Sequence, residues 1–330
     1  MHDHSSSINA INALYSGWES RHPAAAKTNR RDTAPEREGT IHVDRFNRLR
    51  VVTAVPHSAG IAPPRHPVPA KACDAHLHVL DSRFPGAGPV AGMTLADYRL
   101  LQRRLGTSRA VLVQAKHHGT DPAALLDALA QLGPDGRGIA VLPPGTPDEE
   151  FRRLNDAGVR GLRLSLWNPA DAPLSLADLA PLAARVAPLG WHLQLHLTAA
   201  QILEAADVLA TLPCPVVFDH MARLPPEDGP EHPAFAVVAR LLQSGRAWAK
   251  LSGAYLNTRS GPPYPEAGRI ARAFIAEAPE RLVWGSDWPH VTEPHKPDDA
   301  LLLDLLAEWA GPRLTDRILV DNPATLYGFA

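Results

Sequence analysis

The sequence predicts an α/β fold, a (β/α)8 TIM barrel preceded by an irregular N-terminal extension. From residue 67 to residue 330, eight short apolar segments with strand character alternate with eight segments of helical character. This alternation is typical of a closed parallel barrel and not of a sandwich or a helical bundle. Residues 1–66 have no such period and are rich in charge and proline. We therefore expect an extension, residues 1–66, partly disordered or packed on the barrel, and a barrel domain, residues 67–330.

Length and composition exclude several classes of function. The 330 residues suit one barrel of about 250 residues plus an extension. Basic and acidic residues are interspersed and sum to a net charge of −2, which argues against a nucleic-acid partner. No apolar run approaches the ~20 residues that span a bilayer, and the N-terminus does not resemble a signal peptide. The two cysteines are far apart, so we expect no disulfide framework and a cytoplasmic protein.

The strands are predicted from their apolar runs and the helices from their caps. The predicted strands are 71–80, 109–114, 138–142, 159–166, 192–196, 216–220, 247–251 and 282–285. The predicted helices are 94–105, 123–132, 147–157, 174–189, 199–212, 232–243, 264–278 and 298–309. Thr94 is a suitable N-cap, Pro122 a suitable first residue and Gly158 a suitable C-terminal glycine. An open doubly wound sheet is the alternative, but no glycine-rich phosphate-binding turn follows the first strand.

The first predicted strand carries the most distinctive polar pattern. Because side chains alternate along a strand, Asp74, His76 and His78 are expected to share one face and the residues between them the other. Two imidazoles roughly 6–7 Å apart can converge on one metal ion or one carbonyl oxygen. The alternative is a pair of hydrogen-bonded core histidines.

Polar residues also recur where the other predicted strands end, which is where barrel enzymes hold their catalytic groups. The set comprises His76, His78, Gln114, Lys116, Arg160, Arg163, His196, His220, Arg223, Lys250, Asp287 and His290. Burying such groups costs several kcal/mol each unless they are paired, so a shared pocket is the economical explanation. For Arg160 the alternative is capping of the strand or pairing with Asp156, and for Lys250 it is extension to the surface.

Four motifs together resemble the amidohydrolase superfamily, and more closely its branch of lactone hydrolases typified by 2-pyrone-4,6-dicarboxylate lactonase, with sugar lactonases and 4-sulfomuconolactone hydrolase as relatives. The motifs are Asp74-x-His76-x-His78, Asp219-His220-x-x-Arg223, Gly285-Ser286-Asp287-Trp288-Pro289-His290 and Asn322-Pro323-Ala324-x-Leu326-Tyr327-Gly328-Phe329. The similarity runs from about Lys71 to Phe329 and implies a barrel of the amidohydrolase type.

The resemblance also implies roles for individual residues. Asp287 matches the aspartate that acts as general base on the attacking water, and His76, His78 and His220 match imidazoles that polarise the lactone carbonyl or hold a divalent metal. The residues implied to contact carboxylates of the substrate are Arg163, Arg223 and His290. The residues that we add to this substrate-binding set from their strand-end positions are Gln114, Lys116, Arg160 and Lys250. Lys116 stands where the branch often has serine, and its charge favours an anionic substrate.

The metal requirement is left open by the sequence. Two metals are disfavoured because no lysine ends the fourth strand, which reads Arg163-Leu164-Ser165-Leu166. We expect no essential cofactor. The alternative is one divalent metal such as zinc, held by His76, His78 and Asp287 together with His196 or His220.

Three hypotheses for function follow. The leading one is a hydrolase of carboxylic ester bonds, a lactonase that opens a small anionic lactone, either a carboxylated muconolactone or pyrone of aromatic compound catabolism or a sugar-acid lactone. The second is a zinc-dependent decarboxylase or amide hydrolase of the same superfamily. The third, of another class, is a barrel that binds a small acid without turnover. In each case the expected partner is a small molecule, with no nucleic acid and no membrane, and a homo-oligomer remains open.

Overall fold

The computed structural model describes residues 40–43, 49–52, 54–87 and 92–330, and within them it confirms the predicted barrel. A two-stranded antiparallel ribbon comes first, formed by β1 (Thr40–Val43) and β2 (Leu49–Val52). The eight parallel barrel strands are β3 (Cys73–Leu77), β4 (Arg109–Val113), β5 (Gly136–Ala140), β6 (Val159–Ser165), β7 (His192–His196), β8 (Val216–Phe218), β9 (Ala247–Leu251) and β10 (Leu282–Trp284). Each strand pairs with the next along the chain, as the alternating pattern predicts.

Helices follow the strands. They are α1 (Leu95–Leu105), α2 (Ala123–Leu132), α3 (Asp148–Asp156), α4 (Leu179–Val186), α5 (Ala199–Glu204), α6 (Ala206–Thr211), α7 (Pro233–Gln243), α8 (Pro265–Glu277), α9 (Asp299–Asp316) and α10 (Asn322–Tyr327). Thr94 caps α1 as predicted, since its side chain accepts a hydrogen bond from the backbone N–H of Asp97. Within the described residues, no helix is both long and apolar enough to cross a membrane. Cys73 and Cys214 are both buried and unpaired.

Several predicted boundaries differ from the structure. The third predicted barrel strand lies two residues earlier, at Gly136–Ala140. The predicted helix 174–189 is shortened to Leu179–Val186, because Ser175 and Asp178 form a capping box that first starts a 3₁₀ turn. The predicted helix 199–212 is divided into α5 and α6, and the predicted helix 298–309 continues to Asp316 across a break at Gly311. The ribbon β1–β2 and the C-terminal helix α10 were not predicted.

The barrel closes between β10 and β3 through the residues that follow β10. The backbone N–H of Asp287 donates to the carbonyl of His76 at 2.8 Å, and that of His78 donates to the carbonyl of Trp288, also at 2.8 Å. Only glycine fits at position 285, because a Cβ there would lie 2.5 Å from the Cβ of His76. Closure of the barrel therefore fixes Asp287 beside the two histidines.

Asp74 joins the same two segments from outside the barrel. Its carboxylate accepts hydrogen bonds from the backbone N–H of Ser286 at 2.9 Å, from the Ser286 hydroxyl at 2.6 Å and from the Tyr98 hydroxyl on α1 at 3.2 Å. Burial raises the pKa of Asp74 to about 6, although the bonds from Ser286 act in the opposite direction. We conclude that Asp74 holds the barrel closed and takes no place among the converging histidines.

The prediction that Asp74 shares one face of the first strand with His76 and His78 is wrong. Cys73 and Ala75 lie with the interior cluster that includes Tyr327, whereas Leu77 packs with the outer cluster beneath the helices. The register between β3 and β4 shifts between Asp74 and Leu77, as it does at a β-bulge. This shift turns His76 inward, so that it joins His78 without Asp74.

The N-terminal end of the barrel is closed by the last part of the chain. Tyr327 is fully buried there, and the guanidinium of Arg137 donates to the carbonyl of Tyr327 at 3.0 Å while lying 4.5 Å from the ring centre of Phe329. The Asn322 side chain donates to the carbonyl of Leu282 at 2.6 Å. The closing motif thus has a structural role at the end opposite to the strand tips.

Residues 54–66 pack against the barrel, whereas residues 1–39, 44–48 and 53 of the predicted extension lie outside the described residues. The carbonyl of Pro56 accepts a hydrogen bond from the indole of Trp288 at 2.9 Å. Arg65 forms an ion pair of 2.8 Å with the buried Asp304 of α9. The boundary at residue 66 stays a prediction.

Candidate active site

Four buried side chains converge at the C-terminal ends of β3, β8 and β10. The Nε2 atoms of His76 and His78 are 3.2 Å apart. Oδ1 of Asp287 lies 3.6 Å from Nε2 of His76, 3.7 Å from Nε2 of His78 and 4.0 Å from Nε2 of His220. Asp287 is 9% exposed, the largest value of the four. The predicted convergence of three imidazoles on one carboxylate is therefore present.

His78 presents an unprotonated nitrogen to this cluster. Its Nδ1 lies 2.8 Å from the carbonyl of Val113, an acceptor only, so Nδ1 carries the hydrogen. Burial, aided by the neighbouring His76, holds the pKa of His78 well below its ordinary value, which keeps the ring neutral. Nε2 consequently offers a lone pair to a cation or to a hydrogen-bond donor such as water.

Nδ1 of His76 has two neighbours of opposite charge. Its Nδ1 lies 3.3 Å from the Lys250 ammonium and 3.3 Å from Oδ1 of Asp219. A hydrogen bond from Lys250 leaves the ring hydrogen on Nε2, where it can be donated to a carbonyl oxygen. A hydrogen bond to Asp219 instead leaves a lone pair on Nε2, which suits a metal. Burial lowers the pKa of His76, so the ring is neutral in either arrangement.

Lys250 is fully buried under the histidines, so the alternative that it extends to the surface is wrong. The ammonium donates to Oε1 of Gln194 at 2.7 Å and to the carbonyl of Ala75 at 2.8 Å, and it lies 3.7 Å from Asp219. Burial lowers the pKa of Lys250 to about 8. Burial opposes ionisation of Asp219 too, but His76 and Lys250 hold the pKa of that carboxyl well below its usual range.

His196 is the last residue of β7 and His220 follows the end of β8, so the two rings lie side by side. Nδ1 of His220 is 2.9 Å from the Ser252 hydroxyl, and burial holds the pKa of this ring well below its ordinary value. Nδ1 of His196 is 3.2 Å from the Ser165 hydroxyl, and burial lowers its pKa to about 3. Nε2 of His196 is buried without a hydrogen-bond partner among the described residues. Both rings are therefore neutral at physiological pH.

Two arginines carry positive charge around the cluster. Nε of the buried Arg163 lies 3.3 Å from Oδ2 of Asp219, and the side chain lines a small cavity with Lys116 and Gln114. The guanidinium of Arg223 lies 3.9 Å from the ring centre of Trp167. Nε of Arg223 is buried and has no hydrogen-bond partner in the part of the chain that the structure describes. The positive charge of Arg223 near the cluster favours a ligand with an anionic group.

Gln114 and Arg160 are engaged elsewhere. The amide of Gln114 donates to the carbonyls of Gly119 and Asp121, and its oxygen accepts from the N–H of Val141, so the side chain shapes the loop after β4. Arg160 is the second residue of β6, and its guanidinium donates to the carbonyl of Asn155 at 2.9 Å. The structure does not bring Arg160 to the strand tips where the other candidates meet.

His290 is held by two side chains that the sequence did not point to. Its Nδ1 lies 2.9 Å from the Tyr255 hydroxyl, and its Nε2 lies 3.1 Å from Oδ1 of Asp299. The same Tyr255 hydroxyl donates to Oδ2 of Asp287 at 2.7 Å. Tyr255 follows the end of β9 by four residues, which is a weak signal in the sequence. Asp299 begins a helix, and nothing in its local sequence distinguishes it from a cap.

Unusual backbone geometry marks these same positions. His220, Arg223, Asp287 and His290 all have positive φ, between 49° and 65°. Residues other than glycine adopt this region rarely, at a cost of roughly 1–3 kcal/mol each, and such residues cluster at active sites. The strain therefore points to the same cluster as the side chains do.

The donor set fits one divalent ion. The three atoms Nε2 of His76, Nε2 of His78 and Oδ1 of Asp287 form a triangle with edges of 3.2, 3.6 and 3.7 Å. Ligands of a tetrahedral zinc ion with bonds of about 2.1 Å are separated by ~3.4 Å. A second group, His76 with Asp219 and His220, also has its ligand atoms close together. These residues therefore suit a metal-bound site as well as a metal-free one.

Comparison with known proteins identifies the family. Residues 73–329 match the family model described as amidohydrolase. The chain belongs to the amidohydrolase family. Among amidohydrolase relatives, the 2-pyrone-4,6-dicarboxylate hydrolase of Comamonas testosteroni is 35% identical over 288 residues, which cover 80% of this chain and 92% of that protein. The 4-sulfomuconolactone hydrolase of Rhizobium radiobacter is 34% identical over 281 residues, covering 81% and 93%.

The fold of a solved structure is also similar. The crystal structure from Pseudomonas putida described as a 2-pyrone-4,6-dicarboxylic acid hydrolase is 29% identical, with a TM-score of 0.70. The match covers 79% of this chain and 99% of that one. The family and the barrel predicted from the sequence are thus confirmed, and both curated relatives are lactone hydrolases.

Proposed function

We propose that this protein hydrolyses a small anionic lactone, with Asp287 as the general base. The observation that carries the proposal is the position of Oδ1 of Asp287, within 3.6–4.0 Å of three neutral imidazoles at the mouth of the barrel. The relatives named as hydrolases of 2-pyrone-4,6-dicarboxylate and 4-sulfomuconolactone act on lactones that carry acidic groups. Their coverage of most of both chains supports transfer of this reaction class.

The first chemical step is attack of water on the lactone carbonyl. Asp287 takes a proton from that water as the new C–O bond forms, and general-base assistance of this kind contributes ~10²–10⁴ in rate. His78, whose Nε2 carries no hydrogen, accepts a hydrogen bond from the same water and orients it. When the tetrahedral intermediate collapses, Asp287 returns the proton to the ring oxygen, which leaves as an alcohol or enol.

The carbonyl oxygen becomes negatively charged in this step and needs donors. His220 supplies an Nε2–H when its Nδ1 accepts from the Ser252 hydroxyl, and His76 supplies one when its Nδ1 accepts from Lys250. A divalent ion held by His76, His78 and Asp287 would polarise this oxygen and lower the pKa of its bound water. The metal-free reaction requires the arrangement in which Lys250 donates to Nδ1 of His76, because only that arrangement leaves the ring hydrogen on Nε2.

The charge around the site favours an acidic substrate. Arg223 has a buried Nε without a partner in the described residues, and Arg163 and Lys116 line the adjoining cavity. We propose that Arg223 and Arg163 contact acidic groups of the lactone and that Lys116 adds long-range attraction. Gln114 supports the loop that carries Lys116. Lys250 does not contact the substrate in this proposal but donates a hydrogen bond to His76.

A lactone screen with and without chelator tests the proposal. Purified protein, with its metal content measured, is assayed against carboxylated pyrones, muconolactones and sugar-acid lactones. Hydrolysis of an acidic lactone supports the proposal, and unchanged turnover in chelator supports the metal-free reaction. Stoichiometric zinc with no lactone turnover, and turnover of an acid or amide that chelator abolishes, would instead identify a zinc-dependent decarboxylase or amide hydrolase. Tight binding of acidic lactones without turnover would identify a binding protein.

A further inference from the structure

We propose that Tyr255, His290 and Asp299 form a chain of positioning residues that aims the Asp287 carboxylate at the three imidazoles. The inference rests on the proposed function, because it assigns the support for its general base. It also assigns His290 a different role from the substrate contact that the sequence implies. The chain runs from the catalytic carboxylate, through the Tyr255 hydroxyl and both nitrogens of His290, to the buried Asp299 at the start of α9.

The first link fixes the rotation of the Asp287 side chain. The Tyr255 hydroxyl lies 2.7 Å from Oδ2, while Oδ1 faces the imidazoles. Burial, followed by the nearby Asp287 charge, raises the pKa of Tyr255 well above its ordinary value, so the phenol keeps its hydrogen and donates it. Asp287 has φ of 65°, a conformation that its own backbone does not favour. A bond to Oδ2 therefore selects which oxygen is presented to the water.

The second link occupies both nitrogens of His290. The single phenol hydrogen of Tyr255 is donated to Oδ2 of Asp287, and the phenol oxygen lies 2.9 Å from Nδ1 of His290. Nε2 of His290 lies 3.1 Å from Oδ1 of the Asp299 carboxylate. The two rings also meet edge to face, with centres 5.3 Å apart. No ring nitrogen of His290 is left for a carboxylate of the substrate.

The last link joins the chain to residues before the barrel. Asp299 is fully buried, and its Oδ2 accepts a hydrogen bond of 2.5 Å from the Ser58 hydroxyl. Ser58 in turn accepts from the Arg104 guanidinium at 2.7 Å. The far end of the chain is thus fixed to two further segments, the residues around Ser58 and α1, which is what a rigid support for a catalytic group requires.

The test is a double-mutant cycle on the best lactone. We expect Tyr255→Phe and Asp299→Asn each to lower kcat by ~10–100-fold while KM changes by less than about two-fold, because misplacement of a reacting group by ~1 Å costs this much. The double variant should be no slower than the slower single variant, since both act through one chain. Tyr264→Phe, which removes a hydroxyl outside the chain, is the matched control and should retain wild-type kcat.

Three results would overturn the inference. The first is a wild-type kcat for Tyr255→Phe. The second is a loss of kcat in the double variant that equals the product of the two single losses. The third is a His290→Gln variant in which KM rises only for lactones with a carboxylate. If the wild-type protein hydrolyses no lactone, the proposed function fails, and the inference is judged on crystal structures of the wild type and Tyr255→Phe. If the Asp287 carboxylate turns away from the imidazoles in the variant, the inference is supported. If the carboxylate keeps its wild-type position, the inference is refuted.

Discussion

At the scale of single residues, burial lowers the pKa of several histidines inside the barrel, and His192 isolates the consequence for stability. His192 lies inside the barrel below the active site, and burial lowers its pKa to about 3 from 6.5. Between these values the unfolded chain binds the proton and the folded chain does not. The free energy of unfolding therefore rises with pH across this window and falls on acidification.

We predict that His192→Gln reduces this pH dependence. The variant takes up one proton fewer on unfolding. The slope of the free energy of unfolding against pH should therefore fall by about 1.4 kcal/mol per pH unit between pH 4 and 6. Urea titrations at pH 4, 5, 6 and 7 measure the slope. His295→Gln, at an exposed position, is the control and should keep the wild-type slope. An unchanged slope in His192→Gln would show that this ring is protonated in the folded protein.

A second residue-scale prediction concerns Trp167, which holds Arg223. The guanidinium lies over the exposed Trp167 ring, whose other neighbour is the stacked ring of His196. A cation–π contact of ~0.5–2 kcal/mol keeps the arginine in place. Trp167→Leu should therefore raise KM for an acidic lactone by about 3–30-fold and leave kcat within two-fold. KM for an uncharged lactone should not change, and an equal rise for both lactones would contradict the assignment.

At the scale of elements, the active site depends on how β10 meets β3. The Ser286 hydroxyl donates to Asp74 at 2.6 Å, and burial already raises the pKa of that carboxyl to about 6. Because this pKa lies above that of the unfolded chain, ionisation of Asp74 weakens the folded state as pH rises through roughly 4–6. Hydrogen bonds from Ser286 limit that loss.

We predict that Ser286→Ala lowers the free energy of unfolding by about 1–3 kcal/mol at pH 8, where Asp74 is ionised and loses a donor. The loss should be smaller at pH 5, where the carboxyl is largely protonated. Ser244→Ala removes a hydroxyl that donates to a carbonyl and not to a carboxylate, so its effect should be equal at both pH values. A pH-independent loss in Ser286→Ala would contradict this account of closure.

Elements with a clear local pattern were predictable, and those that depend on distant contacts were not. The ranges His192–His196, Ala247–Leu251 and Ala123–Leu132 agree with the prediction because their apolar runs end at polar or glycine residues. The register shift in β3 has no local pattern, since it arises from pairing with β4. Side-chain alternation therefore predicted the inward His76 and His78 but misplaced Asp74.

At the scale of the whole molecule, residues 54–66 extend the support of the site beyond the barrel. Pro56 accepts a bond from Trp288, Ser58 donates to Asp299, and Arg65 pairs with Asp304. We predict that a chain beginning at residue 67 has a lower Tm and a lower kcat than a chain beginning at residue 54. Thermal unfolding and lactone turnover of the two chains measure this directly. Equal values would show that these contacts support neither the fold nor Asp287.

The candidate site was predictable as far as the strand ends determine it. Parallel strands in a closed barrel bring their C-terminal ends together, so His76, His78, His220 and Asp287 could be grouped from the sequence. Partners such as Tyr255 and Asp299 could not, because their contact with His290 depends on the path of two loops. Arg160 was included as a polar residue of the fourth predicted strand, but it lies at the start of β6, away from the strand tips where the others meet.

The central claim is that Asp287 takes the proton of the attacking water, and turnover of Asp287→Asn on the best acidic lactone tests it most directly. Asparagine keeps the shape of the side chain and the hydrogen bond from Tyr255 but cannot accept the proton. We expect kcat to fall by ~10²–10⁴ while the variant keeps the wild-type Tm within a few degrees. A kcat equal to that of the wild type would contradict the account.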